Sequence, residues 1–203
     1  MQQALGVSHL VGPGLLISSI RDDVDECHAA LWRCSCEFAP GNTPLYLSVV
    51  VDEPVLADFT QRSLLIDALI RRREATGFYI LAVTQTDHGH SSDLLLGLMD
   101  CICHLRSRGF KTVIGCCGVE ALLYAAVGAS AVAVGMQPNT QRFGDGRWVE
   151  APDIRMKNQR PKWALVSHLL RELRLTQIGL LKASDPHYWW QCECAYCDIM
   201  RNA

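Results

Sequence analysis

The strongest chemical signal in the sequence is a group of three cysteines near its end. Cys192, Cys194 and Cys197 have the spacing C-x-C-x-x-C, and thiolates at this spacing in a tight turn can converge on one tetrahedral Zn²⁺ ion. The fourth ligand is either His187 or a thiol elsewhere in the chain. Sites rich in thiolate are usually closed, so a structural role is favoured over a catalytic one. The alternative is three free or disulfide-prone thiols.

Two other cysteine groups are interpreted as ordinary core and surface residues. Cys34 and Cys36 form a pair with only two members late in a helical stretch, and free cysteine is commonly buried as a small hydrophobic residue. Cys101, Cys103 and His104 fall on a second predicted helix, where positions two apart point in different directions and do not readily share a metal.

Polar residues follow the apolar runs of the sequence at the points where parallel strands would end. Asp52 and Glu53 follow one such run, and Gln85, Asp87 and His88 follow the next. Active sites of barrels and open α/β sheets gather at this edge. We therefore predict that Asp52 and Asp87 act as nucleophile or general base, and that Glu53, Gln85 and His88 contact the substrate. Loop-starting or helix-capping carboxylates are the alternative.

These residues are positioned by alternating apolar and amphipathic segments. Buried strands are predicted at Gly14 to Ile20, Leu45 to Val51, Phe78 to Val83, Thr112 to Cys116 and Ser130 to Gly135. Helices are predicted at Asp22 to Phe38, Leu56 to Thr76, Ser92 to Arg108 and Val119 to Val127. A strand followed by a helix, repeated along the chain, is typical of βαβ units. The predicted fold is α/β, a partial or truncated (β/α) TIM-type barrel with parallel strands, plus a small C-terminal zinc-binding segment.

The pattern changes after Gly135, where prolines and glycines break the chain. One further strand is predicted at Trp148 to Ile154, and an amphipathic helix at Lys162 to Leu175 precedes the cysteine cluster. The expected domains are a barrel-like domain, residues 1–150, and a C-terminal helix with the zinc-binding segment, residues 151–203.

The amino-acid composition indicates the class of protein but does not identify a binding partner. The chain has 203 residues, 49% hydrophobic and 20% charged, which predicts one principal globular domain. Its formal net charge of -2 gives no overall basic field, although a local patch such as Arg71, Arg72 and Arg73 can still bind phosphate. No secretory signal or membrane-spanning run is recognised, so a cytoplasmic protein with reduced thiols and no membrane association is expected.

One stretch resembles the end of the tRNA-guanine transglycosylase barrel. TVIGCCGVEALLYAAVGASAVAVGMQPNTQR is similar to that family in its Gly-rich strand end, short helix and Gly-started strand, with counterparts at Gly115, Gly118, Gly128, Pro138 and Arg142. The C-x-C-x-x-C motif also resembles the family's zinc site. The resemblance covers roughly the last ninety residues and implies substrate contacts by Gly115, Gly118, Gln137 and Arg142, with a nucleobase of tRNA or DNA as the substrate.

The sequence departs from the family pattern at the nucleophile. The family's nucleophilic aspartate would fall in the strand before Pro138, where this chain has Val132, Ala133, Val134 and Gly135. Either the chain is a divergent base-exchange glycosyltransferase with relocated carboxylates, or it is a noncatalytic, zinc-stabilised accessory subunit that joins a homodimer or a larger partner. A third interpretation is an unrelated (β/α) barrel enzyme on a small phosphorylated metabolite, with the anion bound at Gly115 to Gly118.

Overall fold

The computed structural model describes residues 8–21, 26–39, 43–84, 91–135, 143, 163–166, 171–174, 179–180 and 183. The chain divides into two compact units, residues 1–150 and residues 151–203. The strands and helices of the first unit are β1 (Leu10–Val11), β2 (Leu16–Ile17), α1 (Glu26–Phe38), β3 (Leu45–Asp52), α2 (Glu53–Ala57), α3 (Phe59–Ile70), β4 (Gly77–Val83), α4 (Ser92–Ser107), β5 (Lys111–Cys117), α5 (Ala121–Val127) and β6 (Ala131–Val134). The second unit contributes β7 (Trp163–Val166) and β8 (Arg171–Arg174).

The six strands described in the first unit form one parallel sheet. β1 and β2 both pair with β3, and β4, β5 and β6 follow in chain order. The connecting helices pack against one another, α2 and α3 on α4 and α4 on α5, so they share one face of the sheet. The sheet curls into a half-barrel. The α/β class and a partial barrel of parallel strands, both predicted from the sequence, are thus confirmed for the described residues.

The core lies between the sheet and this helical layer. Alternate residues of β3, Leu47, Val49 and Val51, are completely buried against the helices, as the two-residue period of a strand requires. Trp32 of α1 packs into this core. Its ring is fully buried, and its Nε1–H donates to the carbonyl of Ser48 (3.2 Å). The helix α1 is thereby fixed over the centre of β3.

Local signals in the sequence locate both ends of α4. Ser91 is the N-cap residue, and its hydroxyl accepts a hydrogen bond from the backbone N–H of Leu94 (3.2 Å). Past the other end, Gly109 has φ +86, a left-handed conformation that glycine adopts without steric cost. A serine before the first turn and a glycine after the last one are common sequence signals of helix ends. No helix among the described residues has the length and apolarity needed to cross a membrane.

α2, α3 and α4 meet at a single crowded point. Gly97 of α4 lies so close to the carbonyl of Leu56 that any side chain there would collide with backbone. Beside it, the Nη1–H of Arg62 donates to the carbonyl of Leu56 (2.7 Å), and its Nε–H donates to Asp100 Oδ2 (2.8 Å). Arg62 therefore satisfies an end carbonyl of α2 while it ties α3 to α4.

Three predicted elements differ from the structure. The helix predicted at Lys162 to Leu175 was wrong, because β7 and β8 pair there as an antiparallel hairpin; four residues join them, a usual hairpin length, and Trp and Val favour strands. The helix predicted at Leu56 to Thr76 is two helices that meet at Asp58, and that residue caps α3 through Gln61 N–H (2.8 Å). The strand at Gly14 to Ile20 shortens to β2. Trp148 to Ile154 lies outside the described residues.

The contact at Gly97 generates a prediction about stability. Alanine is a better helix former than glycine by about 1 kcal/mol, yet Gly97→Ala should lower the free energy of unfolding by about 1 to 3 kcal/mol, because overpacking against Leu56 outweighs propensity. Urea unfolding followed by circular dichroism measures the change. The exposed neighbour Leu96→Ala should stay within about 0.5 kcal/mol; a Gly97→Ala protein as stable as wild type would contradict the close contact.

A buried thiol predicts how stability depends on pH. Burial raises the pKa of the Cys101 thiol to about 12, with the charge of Asp100 adding to the effect. In the unfolded chain the thiol ionises near its ordinary value of 9.0. The protonated thiol therefore stabilises the folded protein fully at pH values below the pKa of the unfolded chain. As pH rises from there towards the pKa of the folded protein, the free energy of unfolding falls by about 1.4 kcal/mol per pH unit.

Mutation can separate the effect of Cys101 on the pH dependence of stability from the effects of other groups. Urea unfolding at several pH values from about 8 to about 11 should show a smaller loss of stability for Cys101→Ala than for wild type. Cys103→Ala, which removes an exposed thiol from the same helix, should keep the wild-type slope. Identical slopes in all three proteins would mean that Cys101 ionises equally in the folded and unfolded states.

Candidate functional site

Asp52 and Glu53, the described members of the polar residues predicted at strand ends, lie at one edge of the sheet. β3 and β4 are parallel and in register from Tyr46 opposite Gly77 to Asp52 opposite Val83. Because parallel strands end on the same side, Asp52 and Glu53 stand beside the end of β4, and β2 ends on their other side, where Ile17 pairs with Val51. This edge is the place where (β/α) proteins usually bind ligands.

Asp52 is in the capping position of α2 without acting as a cap. Its backbone is extended (φ -69, ψ 146), and within the described part of the chain its carboxylate accepts no capping hydrogen bond. The second helical residue is Pro54, which has no N–H to donate, so one of the two usual partners of an N-cap side chain is absent. Asp52 is half-buried. Its carboxylate is therefore available to a ligand.

Glu53, in contrast, is held by the next strand–helix unit. The Ser91 hydroxyl donates to Glu53 Oε1 at 2.6 Å while it accepts from Leu94 N–H at the start of α4. One serine therefore caps α4 and anchors the carboxylate that follows β3. Glu53 Oε1 is oriented by this bond, and the second carboxylate oxygen remains for another donor.

The end of β2 is fixed to the same edge by side-chain hydrogen bonds. The backbone N–H of Ile20 donates to Gln61 Oε1 at 2.6 Å, and Gln61 N–H donates to the cap residue Asp58. Ile20 itself is buried, with 1% of its surface exposed. The described residues after β2 and β3 are therefore held by α3 and by the cap of α4.

The face of the sheet opposite the helices carries groups that the sequence did not single out. Tyr79 of β4 leans over β5, so that a side-chain carbon at Gly115 would come within 2.5 Å of the tyrosine hydroxyl oxygen. Burial raises the pKa of Tyr79, and the thiols of Cys116 and Cys117 raise it further. Gly115 is thus required for this tyrosine to cover the strand.

β5 is irregular where these groups meet. Cys116 has φ +55, in the left-handed region that non-glycine residues seldom occupy, and the pairing with β6 shifts register between Ile114 and Cys117. Cys117 is completely buried in the helix-side core. The sequence Gly-Cys-Cys at a strand end was the available signal for the bulge. For Tyr79, the only signal in the sequence was its position in an apolar strand, where alternate residues face away from the helices.

The pairing of β4 changes towards its C-terminal end. Its ladder with β5 ends at Ile80 opposite Ile114. Beyond that point Val83 forms a parallel bridge to Phe143, and the backbone N–H of Thr84 donates to the carbonyl of Phe143 (3.1 Å). The end of β4 therefore has β3 on one side and Phe143 on the other.

The anion site considered at Gly115 to Gly118 already contains a carboxylate. The backbone N–H of Gly118 donates to Glu120 Oε1 at 2.7 Å, and α5 begins directly afterwards at Ala121. A phosphate at Gly118 would have to displace Glu120 and then lie beside its negative charge. This arrangement does not favour the phosphorylated-metabolite interpretation.

Four predicted site residues fall within the described structure. Asp52, Glu53 and Gly118 stand at the C-terminal edge, and Gly115 lies next to that edge in β5. The others lie outside the described residues: Gln85, Asp87, His88, Gln137, Arg142, His187, Cys192, Cys194 and Cys197. Among the residues that are described, no three His, Cys, Asp or Glu side chains are grouped to hold a metal ion. The zinc site therefore stays a prediction from the donor types and spacing.

Comparisons with known proteins do not indicate a function for this chain. No family model matches the sequence, and neither a curated protein nor a solved structure matches it. The resemblance to the transglycosylase family rests on the stretch from Thr112 to Arg142 and on the C-x-C-x-x-C motif.

Proposed function

We propose that this chain is a tRNA-guanine transglycosylase-like protein built on part of a TIM-type barrel, which binds a nucleobase of tRNA or DNA at the C-terminal edge of its sheet. The observation that carries the proposal is the half-buried carboxylate of Asp52, which occupies a helix-capping position but makes no capping bond within the described structure. A carboxylate kept available at a strand end is a usual ligand-binding or catalytic group.

The chemistry of a purine base suits two adjacent carboxylates. A guanine-type base presents a ring N–H and an amino group on one edge, and both are donors. An ionised carboxylate offers acceptors only, so Asp52 can accept both hydrogen bonds. Glu53, already oriented by Ser91, has a second oxygen for a further donor. Leu81, half-buried on the face of the sheet opposite the helices and paired with Val50, can pack against the flat ring.

Base exchange additionally requires a nucleophile for the ribose carbon. In the transglycosylase reaction a carboxylate oxygen bonds to that carbon as the bond to the departing base breaks, and the incoming base then displaces the carboxylate. β6, where the family resemblance would place this group, consists of Ala131–Val134. In this proposal Asp52 binds or protonates the base, and Asp87 is the nucleophile.

The test is incorporation of a labelled 7-deazaguanine base into tRNA or DNA by the purified chain. Asp52→Asn keeps the shape of the side chain and removes its charge, so incorporation should fall about 100-fold or more, the usual cost of a lost acid–base group. The matched control, Asp67→Asn, removes an exposed carboxylate from α3 and should leave the rate unchanged. Wild-type protein that neither incorporates the base nor binds it in an Asp52-dependent way would exclude the proposal.

A noncatalytic subunit is the second candidate, favoured by the exposed side of β6. Val134 is 55% exposed, and Ala131 and Ala133 are also exposed. Apolar side chains on an edge strand are normally covered. In this case the chain binds the base without exchanging it and assembles with a second copy or a larger partner. Base binding without incorporation, together with a dimer in light scattering, distinguishes this candidate from the enzyme; a stable monomer argues against it.

Both candidates include Zn²⁺ held by Cys192, Cys194 and Cys197, with His187 as the fourth ligand. Purified protein should contain about one zinc ion per chain, and Cys192→Ala should lose it, because three remaining donors leave a tetrahedral site incomplete. Cys103→Ala removes an exposed thiol of α4 and should retain full zinc content. Equal zinc content in both variants, measured by mass spectrometry of the metal, would contradict this ligand set.

A further inference from the structure

The opposite end of the sheet carries a concentration of positive charge that the proposed base site does not use. Two neighbouring turns, α3 to β4 and α4 to β5, supply five exposed cationic side chains, here named the basic edge: Arg71, Arg73, Arg106, Arg108 and Lys111. The two turns contain one carboxylate, Glu74, although the formal charge of the whole chain is -2. The charge of the protein is therefore strongly asymmetric.

The backbone holds the two turns side by side. Lys111 N–H donates to the carbonyl of Thr76 (3.3 Å), and Gly77 pairs with Lys111 as the strands begin. Gly77 approaches the Lys111 carbonyl so closely that no side chain fits between them. α3 and α4 also pack together, and packed helices are usually about 8 to 10 Å apart where they touch.

Stabilisation of the helix ends accounts for only part of this charge. The Nε–H of Arg71 donates to the carbonyl of Asp67 (3.2 Å), and Nη1–H of Arg106 donates to Val127 O (3.5 Å), as cations at helix C-termini commonly do. Arg73, Arg108 and Lys111 lie beyond the last residues of α3 and α4. Arg73 lies in the turn before β4, Arg108 is the C-cap residue of α4, and Lys111 is the first residue of β5.

The next arginine of the first turn, Arg72, is committed to the core. Its guanidinium stacks over the buried ring of Trp32 at 5.4 Å from the ring centre, a cation–π contact. Arg72 thereby fixes the turn to α1 and leaves Arg71 and Arg73 on either side of it exposed. The contact of Arg72 with Trp32 therefore holds in place the turn that carries Arg71 and Arg73.

We propose that the basic edge binds the sugar-phosphate backbone of a nucleic acid. Four of its five cations are arginines, whose planar guanidinium groups match phosphate oxygens in a bidentate geometry. Rigid turns hold the charges near one another, and clustered cations bind polyanions by releasing counterions. The surface is about 20 Å from Asp52, the length of a seven-residue strand, and it binds backbone whether or not a base enters the site at Asp52.

Fluorescence anisotropy with a short mixed-sequence RNA duplex tests the proposal on the full chain. The double variant Arg73→Glu/Arg108→Glu should bind at least tenfold more weakly at moderate salt, and the slope of log affinity against log salt should decrease by about 2. The matched control, Arg21→Glu/Arg33→Glu, changes the net charge equally at two exposed arginines elsewhere and should bind close to wild type. Thermal unfolding checks that both variants are folded.

Two outcomes would overturn the basic edge as a nucleic-acid surface. One is an equal loss of affinity in both double variants, which would assign binding to overall charge. The other is salt-dependent binding to anionic lipid vesicles with none to the duplex. Arg73→Glu/Arg108→Glu should still bind the free 7-deazaguanine base as wild type does, so failure of the base site and failure of the basic edge give different results.

Discussion

The structure depends on the pairing of β3 with β4. Seven consecutive residue pairs join them, from Tyr46 and Gly77 to Asp52 and Val83, and β3 also pairs with β1 and β2 on its other side. A shift of one residue would move Leu47, Val49 and Val51 out of the helix-side core, because side chains alternate between the two faces. The same register places Asp52 at the end of the sheet. Packing and the candidate site are thus set by one ladder.

Most of this architecture was predictable because its signals are local. The apolar runs that became β3, β4 and β5 are bounded by turn residues, and Ser91 and Gly109 mark α4 by capping chemistry that acts within one helical turn. The break at Asp58 was missed because the apolar periodicity continues across it. The hairpin of β7 and β8 was missed because its stability depends on cross-strand pairing, and a helical pattern in the sequence does not report such pairs.

The candidate site was predictable in position and less so in detail. Strand ends identified Asp52 and Glu53, but the sequence left open whether they were capping residues. The described structure shows no capping bond from Asp52, and Pro54 removes one of its two usual partners; Glu53 is instead held by Ser91, through a contact between residues far apart in the chain. Tyr79 was missed because its role depends on the space that Gly115 leaves in a neighbouring strand, and such space is not visible in either local segment.

The distribution of charge between the two ends of the sheet has one physical origin. In repeated strand–helix units every helix starts at the C-terminal edge of the sheet and ends at the other edge. Carboxylates are stabilised near helix N-termini and cations near helix C-termini, so Glu53 and Glu120 gather at one end while Arg71 and Arg106 gather at the other. Helix dipoles fall off within one turn, so they account for Arg108, the C-cap residue of α4, but not for Arg73 and Lys111. These side chains add to the positive charge that helix stability favours, and the polyanion that we propose as a ligand would offset the repulsion among them.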